Sequence, residues 1–537
     1  MKYQKKGLFL LVCFLMLFCI LEPIKAQAAA MTDIRVGLTS LYEGRNSITI
    51  KTTKLSMGYC LNNSYTSEIT FSSSSGFIFT PAKGYYYILN KTFTSFGEAK
   101  KVADTLAKLG VNAYPASVYR KTWKVYVGGS TTKSDLTAVL SKVQGKYGYT
   151  YSSLSADNQY RMLVKGKNFS FLIDGGVKKA FPQFKAAVNN SAGVAVVDLS
   201  SRSYRGRIEI GRYNKGTLTA VNILNVESYL YGVVPSEMPS SWPMEALKAQ
   251  AVCARSIALK KTSYSADSNV ISPYKLNDTT TSQAYKGYQA ETSRTTKAVT
   301  ATAGKVVTYN KKLITAYYSS TSGGSTEDIK YVWGSSASYL VPVADIYETE
   351  PEKAPWVVTL TKAQIASKLS AAGYGGGSVS GITAQTVTDS GRVYSLLIRR
   401  SGGNTTLKAG TIREVLDLFS TKFKIVGYGD SPNTVSIKGD GTTKTANISN
   451  CHVITSSGKT QKISQTADQY IVRSVDNLTN FLRKAPTDKN TYYIAGMGYG
   501  HGVGMSQSGA KGMANAGFTY SEIIAYYYAG CKVSTYN

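Results

Sequence analysis

The stretch NVESYLYGVVPSEMPSSWPMEALKAQAVCARSIALKK, residues 225–261, decides how the rest of the chain is interpreted. It predicts a short helix, an apolar Val-Val passage, a loop that holds Glu237, and a second helix that begins near Ser240. Serine is a preferred N-cap residue, and Pro243 in the first turn suits a helix start. Small residues along one face of this second helix favour close packing on a core.

Glu237 has apolar neighbours in the sequence, among them Met238 and Trp242. Removal from water disfavours a charged carboxylate, which raises its pKa towards the range of a general acid. Lys248 and Arg255 share one helix face, and we expect them to orient Glu237 or to bind a substrate carboxylate. The alternative is that Glu237 only stabilises the N-terminus of the following helix.

Three further motifs follow in order: QAYKGY at 283–288, AYYSSTSGGSTEDIKYVWG at 316–334 and GYGHGVGMSQSGAKGMA at 498–514. Together with the first stretch they resemble the stage II sporulation protein D family, whose relatives include the amidase enhancers. The resemblance covers most of residues 205–531. It implies a peptidoglycan lytic transglycosylase in which the glutamate of the SEM motif is the catalytic acid, and that position is Glu237.

The implied reaction needs one carboxylate, because the C6 hydroxyl of the muramyl sugar attacks its own anomeric carbon and leaves an anhydro ring. The attack is intramolecular, so proximity supplies much of the rate, and a single acid can manage both proton transfers. A hydrolytic glycosidase needs two carboxylates. A chain with 32 acidic against 62 basic residues accommodates a single-acid mechanism more easily.

The same motifs supply the candidates for substrate contact. Sugars suit aromatic ring faces and hydroxyl or amide groups. The SSTSGG run could instead be a glycine turn that leaves a strand. The glycine-rich run around His501 echoes a dinucleotide loop, but one such match is weak evidence, and we interpret it as a loop at the rim of a cleft. The predicted substrate-binding residues here are Gln283, Tyr285, Tyr318, Ser322, Gly323, His501 and Gln507.

We expect neither a metal ion nor a cofactor. The chain contains two histidines, which is too few for a site of several imidazole ligands. Some members of the family carry Cys and His around the block that here reads NDTTTSQAY, where this chain has Asn277, Thr281 and Ser282.

Residues 84–151 read as a compact unit with the order β-α-β-β-α-β, its first helix opened by Ser95. The unit resembles a SPOR domain, a module that binds peptidoglycan glycan stripped of its stem peptides. On that resemblance we expect Phe93 and Trp123 to contact glycan. Another small ferredoxin-like fold remains an alternative.

The predicted architecture is α+β, with a β-rich catalytic domain at 160–535 and the SPOR-like unit ahead of it. Residues 29–83 read as an N-terminal β segment with a Ser-rich linker. Residues 1–28 read as a signal peptide, because lysines precede the apolar run 8–21 and an A-x-A site follows.

The net charge of +30 indicates a polyanionic partner. Export argues against nucleic acid and for the cell wall, so we expect a secreted protein, membrane-anchored if the leader is not removed. The expected partners are peptidoglycan glycan strands, anionic wall polymers and a cell-wall amidase. The rival interpretation is a wall-binding protein without catalysis that enhances an N-acetylmuramoyl-L-alanine amidase.

Overall fold

The computed structural model describes residues 33–154, 160–175, 180–213, 216–262, 273–348, 355–439, 442–454, 459–463, 469–473 and 478–536. The predicted signal peptide lies outside the described residues. Helices and sheets are both abundant, which confirms the predicted α+β class. Among the described residues, no helix is both long and apolar enough to cross a membrane.

The chain forms two compact units. The first unit holds the residues up to Ser240, then Ala254–Lys305 and the residues from Thr535. The second unit holds Ser241–Cys253 and Val306–Ser534. Residues of the predicted catalytic domain, 160–535, occur in both units, and the boundaries of that domain stay a prediction.

The strands before residue 280 build the sheets of the first unit. They are β1 Asp33–Gly37, β2 Ile48–Ile50, β3 Lys54–Leu61, β4 Ser64–Ser72, β5 Phe77–Pro81, β6 Tyr85–Leu89, β7 Ala113–Tyr119, β8 Thr122–Ser130, β9 Tyr151–Leu154, β10 Arg161–Lys165, β11 Ser170–Asp174, β12 Gln183–Ala186, β13 Val196–Asp198, β14 Ser203–Arg205, β15 Arg207–Gly211, β16 Thr219–Asn225 and β17 Leu276–Asn277.

One sheet of the first unit has seven strands in the order β17-β1-β16-β15-β12-β3-β4. β1 pairs antiparallel with β16, with Asp33 opposite Asn225, and buries the apolar side chains of Ile34 and Val36. Strands β1, β3 and β4 of the predicted N-terminal β segment, residues 29–83, belong to this sheet. The alternation of apolar residues predicts strands but does not identify the strands that will cover them.

The second sheet of this unit has eight strands in the order β2-β5-β10-β11-β7-β8-β6-β9. The SPOR-like segment contributes β6 to β9 in the predicted β-α-β-β-α-β order. The sheet does not end at the boundary of that segment, because β7 pairs in parallel with β11, with Leu172 opposite Ala116 and Ile173 opposite Ser117. Whether residues 84–151 act as a SPOR domain stays a prediction.

Phe93 and Trp123 are not surface residues, which corrects their predicted role in glycan contact. Their backbones pair with each other, and their side chains are 5% and 4% exposed. The Trp123 ring lies 5.3 Å from Phe96 and 6.0 Å from Phe171, centroid to centroid. These rings form an aromatic core between the sheet and its first helix.

The helices lie between these strands or follow them. They are α1 Thr39–Tyr42, α2 Phe96–Ala107, α3 Lys133–Val143, α4 Val226–Glu237, α5 Met244–Lys261, α6 Ser293–Ala301, α7 Lys330–Trp333, α8 Lys362–Ala371, α9 Gly410–Leu416, α10 Gln507–Asn515 and α11 Tyr520–Tyr527. As predicted, α2 is opened by Ser95, whose side chain accepts a hydrogen bond from the Glu98 N–H. α5 begins at Met244, three residues beyond Ser241, so the expected helix is present but neither serine adjoins it. The Pro243 carbonyl oxygen accepts the Leu247 N–H at 3.2 Å.

The strands after residue 300 build mostly small sheets. They are β18 Lys305–Tyr309, β19 Lys312–Leu313, β20 Tyr318–Ser319, β21 Trp356–Thr361, β22 Val379–Val387, β23 Val393–Arg400, β24 Thr405–Lys408, β25 Phe423–Val426, β26 Thr434–Gly439, β27 Thr442–Asn447, β28 His452–Ile454, β29 Thr460–Lys462, β30 Gln469–Arg473, β31 Leu478–Leu482, β32 Thr491–Gly496, β33 Met505–Ser506 and β34 Lys532–Thr535.

The apolar core of the second unit lies where two three-stranded sheets meet α8 and α9. The sheets have the orders β21-β32-β25 and β22-β23-β24. Fully buried side chains from both sheets and both helices pack together there, among them Ile365, Ile398, Ile412 and Ile494.

Candidate functional site

Glu237 is the last residue of helix α4, not part of a loop as the sequence suggested. The helix begins at Val226 and is capped by Asn225, whose side chain accepts a hydrogen bond from the Ser228 N–H at 2.8 Å. It continues through Pro235, although proline usually interrupts a helix. The last turn closes because the Met238 N–H donates to the Val234 carbonyl at 2.9 Å.

The Glu237 carboxylate is half-buried, and its Oε1 accepts a hydrogen bond of 2.7 Å from the backbone N–H of Ala284. Two opposing influences act on its charge. The carbonyl groups at a helix C-terminus disfavour a negative charge, whereas an N–H donor favours it. The residue lies seven positions before Met244, so it does not occupy the N-cap of the next helix.

Ala284 is held by a turn in which polar side chains bond to one another. The Asn277 Nδ2 donates to the Thr281 Oγ1 at 2.8 Å, and the Ser282 Oγ accepts the Asn277 N–H at 3.1 Å. Asp278 anchors the turn because its buried carboxylate accepts the Ser40 N–H at 2.9 Å. The block NDTTTSQAY of this chain therefore contains a hydrogen-bonded turn.

Gln283 and Tyr285 flank Ala284 and are both buried. The Tyr285 hydroxyl donates to the Asn222 Oδ1 at 2.8 Å, and the Gln283 Nε2 donates to the Tyr229 hydroxyl at 3.4 Å. Burial raises the pKa of Tyr229, and the charge of Glu237 raises it further. The prediction that Gln283 and Tyr285 contact substrate finds no support in the structure. Both side chains are buried, and their hydrogen bonds to Tyr229 and Asn222 hold the backbone on either side of Ala284.

Gly232 shows how closely this motif packs on helix α4. A Cβ atom at Gly232 would lie 2.6 Å from Cε2 of Tyr285 and 3.0 Å from the carbonyl oxygen of Gly287. The Tyr285 ring also lies 4.9 Å from the Tyr229 ring, centroid to centroid. A glycine in the middle of the helix is thus required by the tyrosine that follows Ala284.

Arg255 is fully buried, which corrects its predicted role in substrate binding. Its guanidinium makes two hydrogen bonds of 2.7 Å to the Glu227 carboxylate and one of 2.9 Å to the Lys305 carbonyl oxygen. A third carbonyl contact goes to Val299 at 3.3 Å. These partners leave Arg255 inside the fold of the first unit.

Lys248 is half-buried and lies in the second unit, together with the first ten residues of α5. Its Nζ is 2.7 Å from Oε1 of Glu245 on the same helix. A partly exposed pair of this kind contributes little to stability. Its contact with substrate stays a prediction.

In the second unit, the SSTSGG and GYGHGVGMS runs lie side by side. β20 pairs in parallel with β33, with Tyr318 opposite Met505, and Thr321 bridges Tyr499. Gly502 (φ +77°) and Gly504 (φ +73°) have conformations that favour glycine. A Cβ at Gly504 would meet the Tyr317 carbonyl oxygen at 2.1 Å, so the two runs approach more closely than other residues permit.

Ser322 lies at the centre of a buried acidic cluster in the second unit. Its Oγ is 2.9 Å from the Asp345 carboxylate and 2.6 Å from the Glu348 carboxylate, and the Glu348 carboxylate also accepts the Gly323 N–H at 3.1 Å. Burial and the charge of Glu348 raise the pKa of Asp345 to about 7. The predicted substrate contact by Ser322 and Gly323 is not supported, because both residues are buried in this cluster.

Arg392 supplies the positive charge beside the acidic cluster. Its Nη2 donates to the Ser322 carbonyl oxygen at 2.7 Å, and burial lowers the pKa of the guanidinium to about 10. The neighbouring Glu327 carboxylate accepts hydrogen bonds from Thr388 at 2.6 Å and Ser390 at 2.8 Å. None of these acidic residues was singled out by the sequence, because their roles depend on partners far along the chain.

His501 is half-buried, and its ring nitrogens are engaged by the backbone. Its Nδ1 accepts the Val503 N–H at 3.0 Å, and a second bond joins the ring to the Tyr318 backbone. Burial and the charges of Arg413 and Arg392 lower the pKa of His501 to about 3. The imidazole is therefore neutral, and any sugar contact would use its ring face.

Gln507 is buried at the start of α10, where its Nε2 donates to the Gln250 Oε1 of helix α5 at 3.2 Å. The contact joins the third motif to the second half of the opening stretch. Tyr318 is half-buried and retains part of its ring surface. A sugar contact by Tyr318 stays a prediction.

Trp333 is an aromatic residue that the sequence reasoning quoted in a motif but did not single out. It is 48% exposed, and its ring lies 4.5 Å from Tyr317 and 5.0 Å from His501, centroid to centroid. The signal available in the sequence was the tryptophan itself, near the end of the motif AYYSSTSGGSTEDIKYVWG. The three rings form an aromatic surface that could stack on sugar rings.

Metal ligation finds no support in the described part of the chain. Within it, no group of three or more His, Cys, Asp or Glu side chains is arranged to hold a metal ion.

Comparison with known proteins agrees with these motifs. The family model described as Stage II sporulation protein matches residues 214–309. Stage II sporulation protein D of Bacillus subtilis is 30% identical over 326 residues, which cover 59% of this chain and 76% of that protein. The chain belongs to the stage II sporulation protein D family. This confirms the resemblance that the four motifs indicated.

Other similar proteins extend the family comparison. The Amidase enhancer of Bacillus subtilis is 36% identical over 315 residues, which cover 57% of this chain and 40% of that protein. An uncharacterized protein of Brachyspira hyodysenteriae is 29% identical over 339 residues and is covered to 74%. The chain thus spans less than half of the Amidase enhancer and about three quarters of Stage II sporulation protein D.

Proposed function

We propose that this member of the stage II sporulation protein D family is a peptidoglycan lytic transglycosylase that acts in cell-wall remodelling, with Glu237 as its acid. The observation that carries the proposal is the setting of Glu237. Its carboxylate is half-buried, stands at the end of a helix, and is held in a fixed orientation by the Ala284 N–H at 2.7 Å. A catalytic acid needs such a defined orientation.

The proposed step cleaves the bond between muramic acid and glucosamine without water. Protonated Glu237 gives its proton to the glycosidic oxygen, and the bond from this oxygen to the anomeric carbon breaks. The muramyl C6 hydroxyl forms the new bond to that carbon, and its proton passes to the Glu237 carboxylate. The carboxylate thus starts and ends the cycle protonated. The products are a free glucosamine end and an anhydro-muramyl end.

Two features of the first unit suit this cycle. The Ala284 N–H stabilises the charged carboxylate, which must exist briefly, while the helix C-terminus opposes that charge. Gln283 and Tyr285 lock the backbone on both sides of Ala284 through Tyr229 and Asn222. A displacement of the acid by 1 Å can cost about 100-fold in rate. In the proposal, Gln283 and Tyr285 therefore serve catalysis by holding the Ala284 N–H that orients Glu237.

The test compares Glu237→Gln with Glu245→Gln on purified sacculi, with anhydro-muramyl ends measured by mass spectrometry. Glutamine retains the oxygen that accepts the Ala284 N–H but cannot give up an acid proton. We expect the first variant to lose about 100-fold or more of the activity with a melting temperature close to that of the wild type. The second variant should retain activity. Undiminished activity of Glu237→Gln would refute the assignment.

A second candidate function follows from the 36% identity to a protein named Amidase enhancer. In that case the protein would bind the wall and raise the activity of an N-acetylmuramoyl-L-alanine amidase. The distinguishing experiment adds the protein to sacculi with and without such an amidase. Faster release of stem peptides without any anhydro-muramyl ends would favour the enhancer over the enzyme.

The proposed place of action is outside the cytoplasmic membrane, either as a secreted protein or with its leader retained as an anchor. The net charge of +30 supports contact with anionic wall polymers. The SPOR-like segment, residues 84–151, is included in the proposal as a binder of glycan without stem peptides. Because Phe93 and Trp123 are buried, that contact would use other side chains of the segment.

A further inference from the structure

The second unit contains a cavity of about 790 Å³ that none of the motifs predicted. Its walls come from strands β22, β25, β31 and β32 and from the loop that follows β25. The volume lies in the usual range for sites that bind small molecules. The apolar part of the wall includes Ile382, Phe423 and Met497.

The charge of the cavity is positive. Among the described residues that line it are Lys422, Lys424 and Lys489, together with one acidic residue, Asp430. The Asp430 Oδ2 accepts the Gly427 N–H at 2.7 Å, which fixes the loop after β25. A concave surface with an excess of one charge concentrates ligands of the opposite charge, so the cavity favours an anion.

Lys424 stands out among these lysines because its environment is partly apolar. Its Nζ lies 4.0 Å from the centre of the Phe481 ring. Partial burial lowers the pKa of Lys424 below its ordinary value. An anion placed beside this ammonium group would stabilise its charged form, and the gain would appear as binding free energy.

Two tyrosines give the cavity a further preference. Tyr428 and Tyr492 both line it, and Tyr428 is 63% exposed. Aromatic faces pack on the carbon-bound hydrogens of sugars and polyols, and their hydroxyl groups provide hydrogen bonds. A simple inorganic anion would use the lysines but would leave these rings without a function.

We propose that this cavity binds an anionic saccharide or polyol, whose carboxylate or phosphate groups pair with Lys424 and Lys489 while its carbon skeleton packs on Tyr428 and Tyr492. The shared chemistry is an acidic group on a hydroxylated chain. Two wall components carry it, namely the muramic acid of the glycan strand and polyol-phosphate polymers. The site does not depend on the proposed reaction at Glu237, since it holds a ligand without changing it.

Lys422 has a different position, since its side chain packs against Gly323. A Cβ atom at Gly323 would lie 3.0 Å from Cδ of Lys422. Lys422 is also buried, so its replacement would disturb the Ser-Gly-Gly motif as well as the cavity. The test therefore leaves Lys422 unchanged and alters Lys489 and the partly desolvated Lys424, which both keep solvent-accessible surface at the cavity.

The experiment measures binding to the full chain by isothermal titration calorimetry with two probes. One probe is a short glycerol-phosphate oligomer, and the other is a disaccharide that contains muramic acid. The variant is Lys424→Gln with Lys489→Gln. The matched control is Lys312→Gln with Lys408→Gln, which removes the same charge from exposed positions that do not line the cavity.

We expect the cavity variant to bind at least one probe about tenfold more weakly or worse, since tenfold corresponds to about 1.4 kcal/mol. The control should bind like the wild type. Tyr428→Ala should weaken the same probe but leave any binding of inorganic phosphate unchanged. The tighter of the two probes identifies the source of the ligand.

Equal weakening in the cavity variant and the control would overturn the proposal, because net charge alone would then explain binding. Failure of both probes to bind the wild type would overturn it as well. Circular dichroism of each variant checks that the fold is retained. These outcomes are independent of anhydro-muramyl formation, so a failure here is distinct from a failure of the proposed enzyme function.

Discussion

Arg255 and Glu227 form a bidentate ion pair, with both nitrogen–oxygen distances at 2.7 Å. The pair joins α4 to the part of α5 that belongs to the first unit. The pair is separated by 28 positions in the sequence. Arg255 is fully buried, and Glu227 also accepts the Gly304 N–H at 3.3 Å. The pair therefore holds in place helix α4, which ends at Glu237. The Arg255 guanidinium thus stabilises the fold and does not bind substrate.

Replacing Arg255 by Gln should lower the free energy of unfolding by about 3–5 kcal/mol, because it leaves a mostly buried carboxylate without its countercharge. Lys260→Gln, at an exposed position of the same helix, should change it by about 0.5 kcal/mol or less. Denaturant unfolding followed by circular dichroism measures both. A normal stability of Arg255→Gln with weakened substrate binding would restore the original prediction for Arg255.

Asp345 should make stability depend on pH. Its pKa is raised to about 7 in the folded protein from an ordinary value of 3.8, so the folded state binds a proton more tightly than the unfolded state. The stabilising contribution is complete below about pH 4 and is lost as pH rises through about 7. One pKa unit corresponds to about 1.4 kcal/mol, so the contribution is at most about 4 kcal/mol.

The measurement compares the wild type with Asp345→Asn, which cannot ionise, by denaturant unfolding at several pH values between 4 and 8. We expect the stability of the wild type relative to the variant to fall across this range. A difference that stays constant with pH would show that Asp345 is already charged in the folded protein.

Gly502 should be intolerant of a side chain for two separable reasons. Its φ of +77° disfavours alanine by about 1–2 kcal/mol, and a Cβ would lie 2.3 Å from Nη2 of the buried Arg392. The second effect adds about 1–3 kcal/mol of overpacking. It should also break the bond from Arg392 to the Ser322 carbonyl.

Gly375→Ala is the matched control, because Gly375 has a φ of +75° and open space around the position of a Cβ. Thermal or denaturant unfolding of both variants isolates the packing contribution. Equal losses of stability in the two variants would contradict the packing argument. Arg392 would then move away from the new Cβ without a cost in free energy.

Trp123→Ala should destabilise the first unit by about 3–5 kcal/mol, because it removes a buried indole from the aromatic core. Lys124→Ala, one residue along the same strand, should have an effect of about 0.5 kcal/mol or less. Denaturant unfolding tests the stability, and retention on amidase-treated sacculi tests glycan binding. If Trp123→Ala had unchanged stability but was no longer retained on amidase-treated sacculi, Trp123 would contact glycan as the sequence predicted.

The predictions from sequence were most accurate where local chemistry decides the outcome. The helix at Phe96–Ala107 is opened by Ser95, as its N-cap chemistry predicts, and the order of strands and helices in residues 84–151 follows the hydrophobic pattern. Glu237 was predicted to lie in a loop, whereas helix α4 continues through Pro235 to Glu237. The last helical turn accepts this proline because the Met238 N–H still reaches the Val234 carbonyl.

The sequence by itself determined the α+β class, the family and the large positive charge, since composition, periodicity and motif order are properties of the chain alone. Only the tertiary structure decided which polar and aromatic residues are buried. Arg255, Ser322 and Trp123 each looked available for substrate, yet each is covered by segments that the sequence does not connect to them. The physical reason is that a pattern identifies the face of a helix or strand, whereas burial depends on which distant element packs on that face. The bond from Arg392 to Ser322 spans 70 positions.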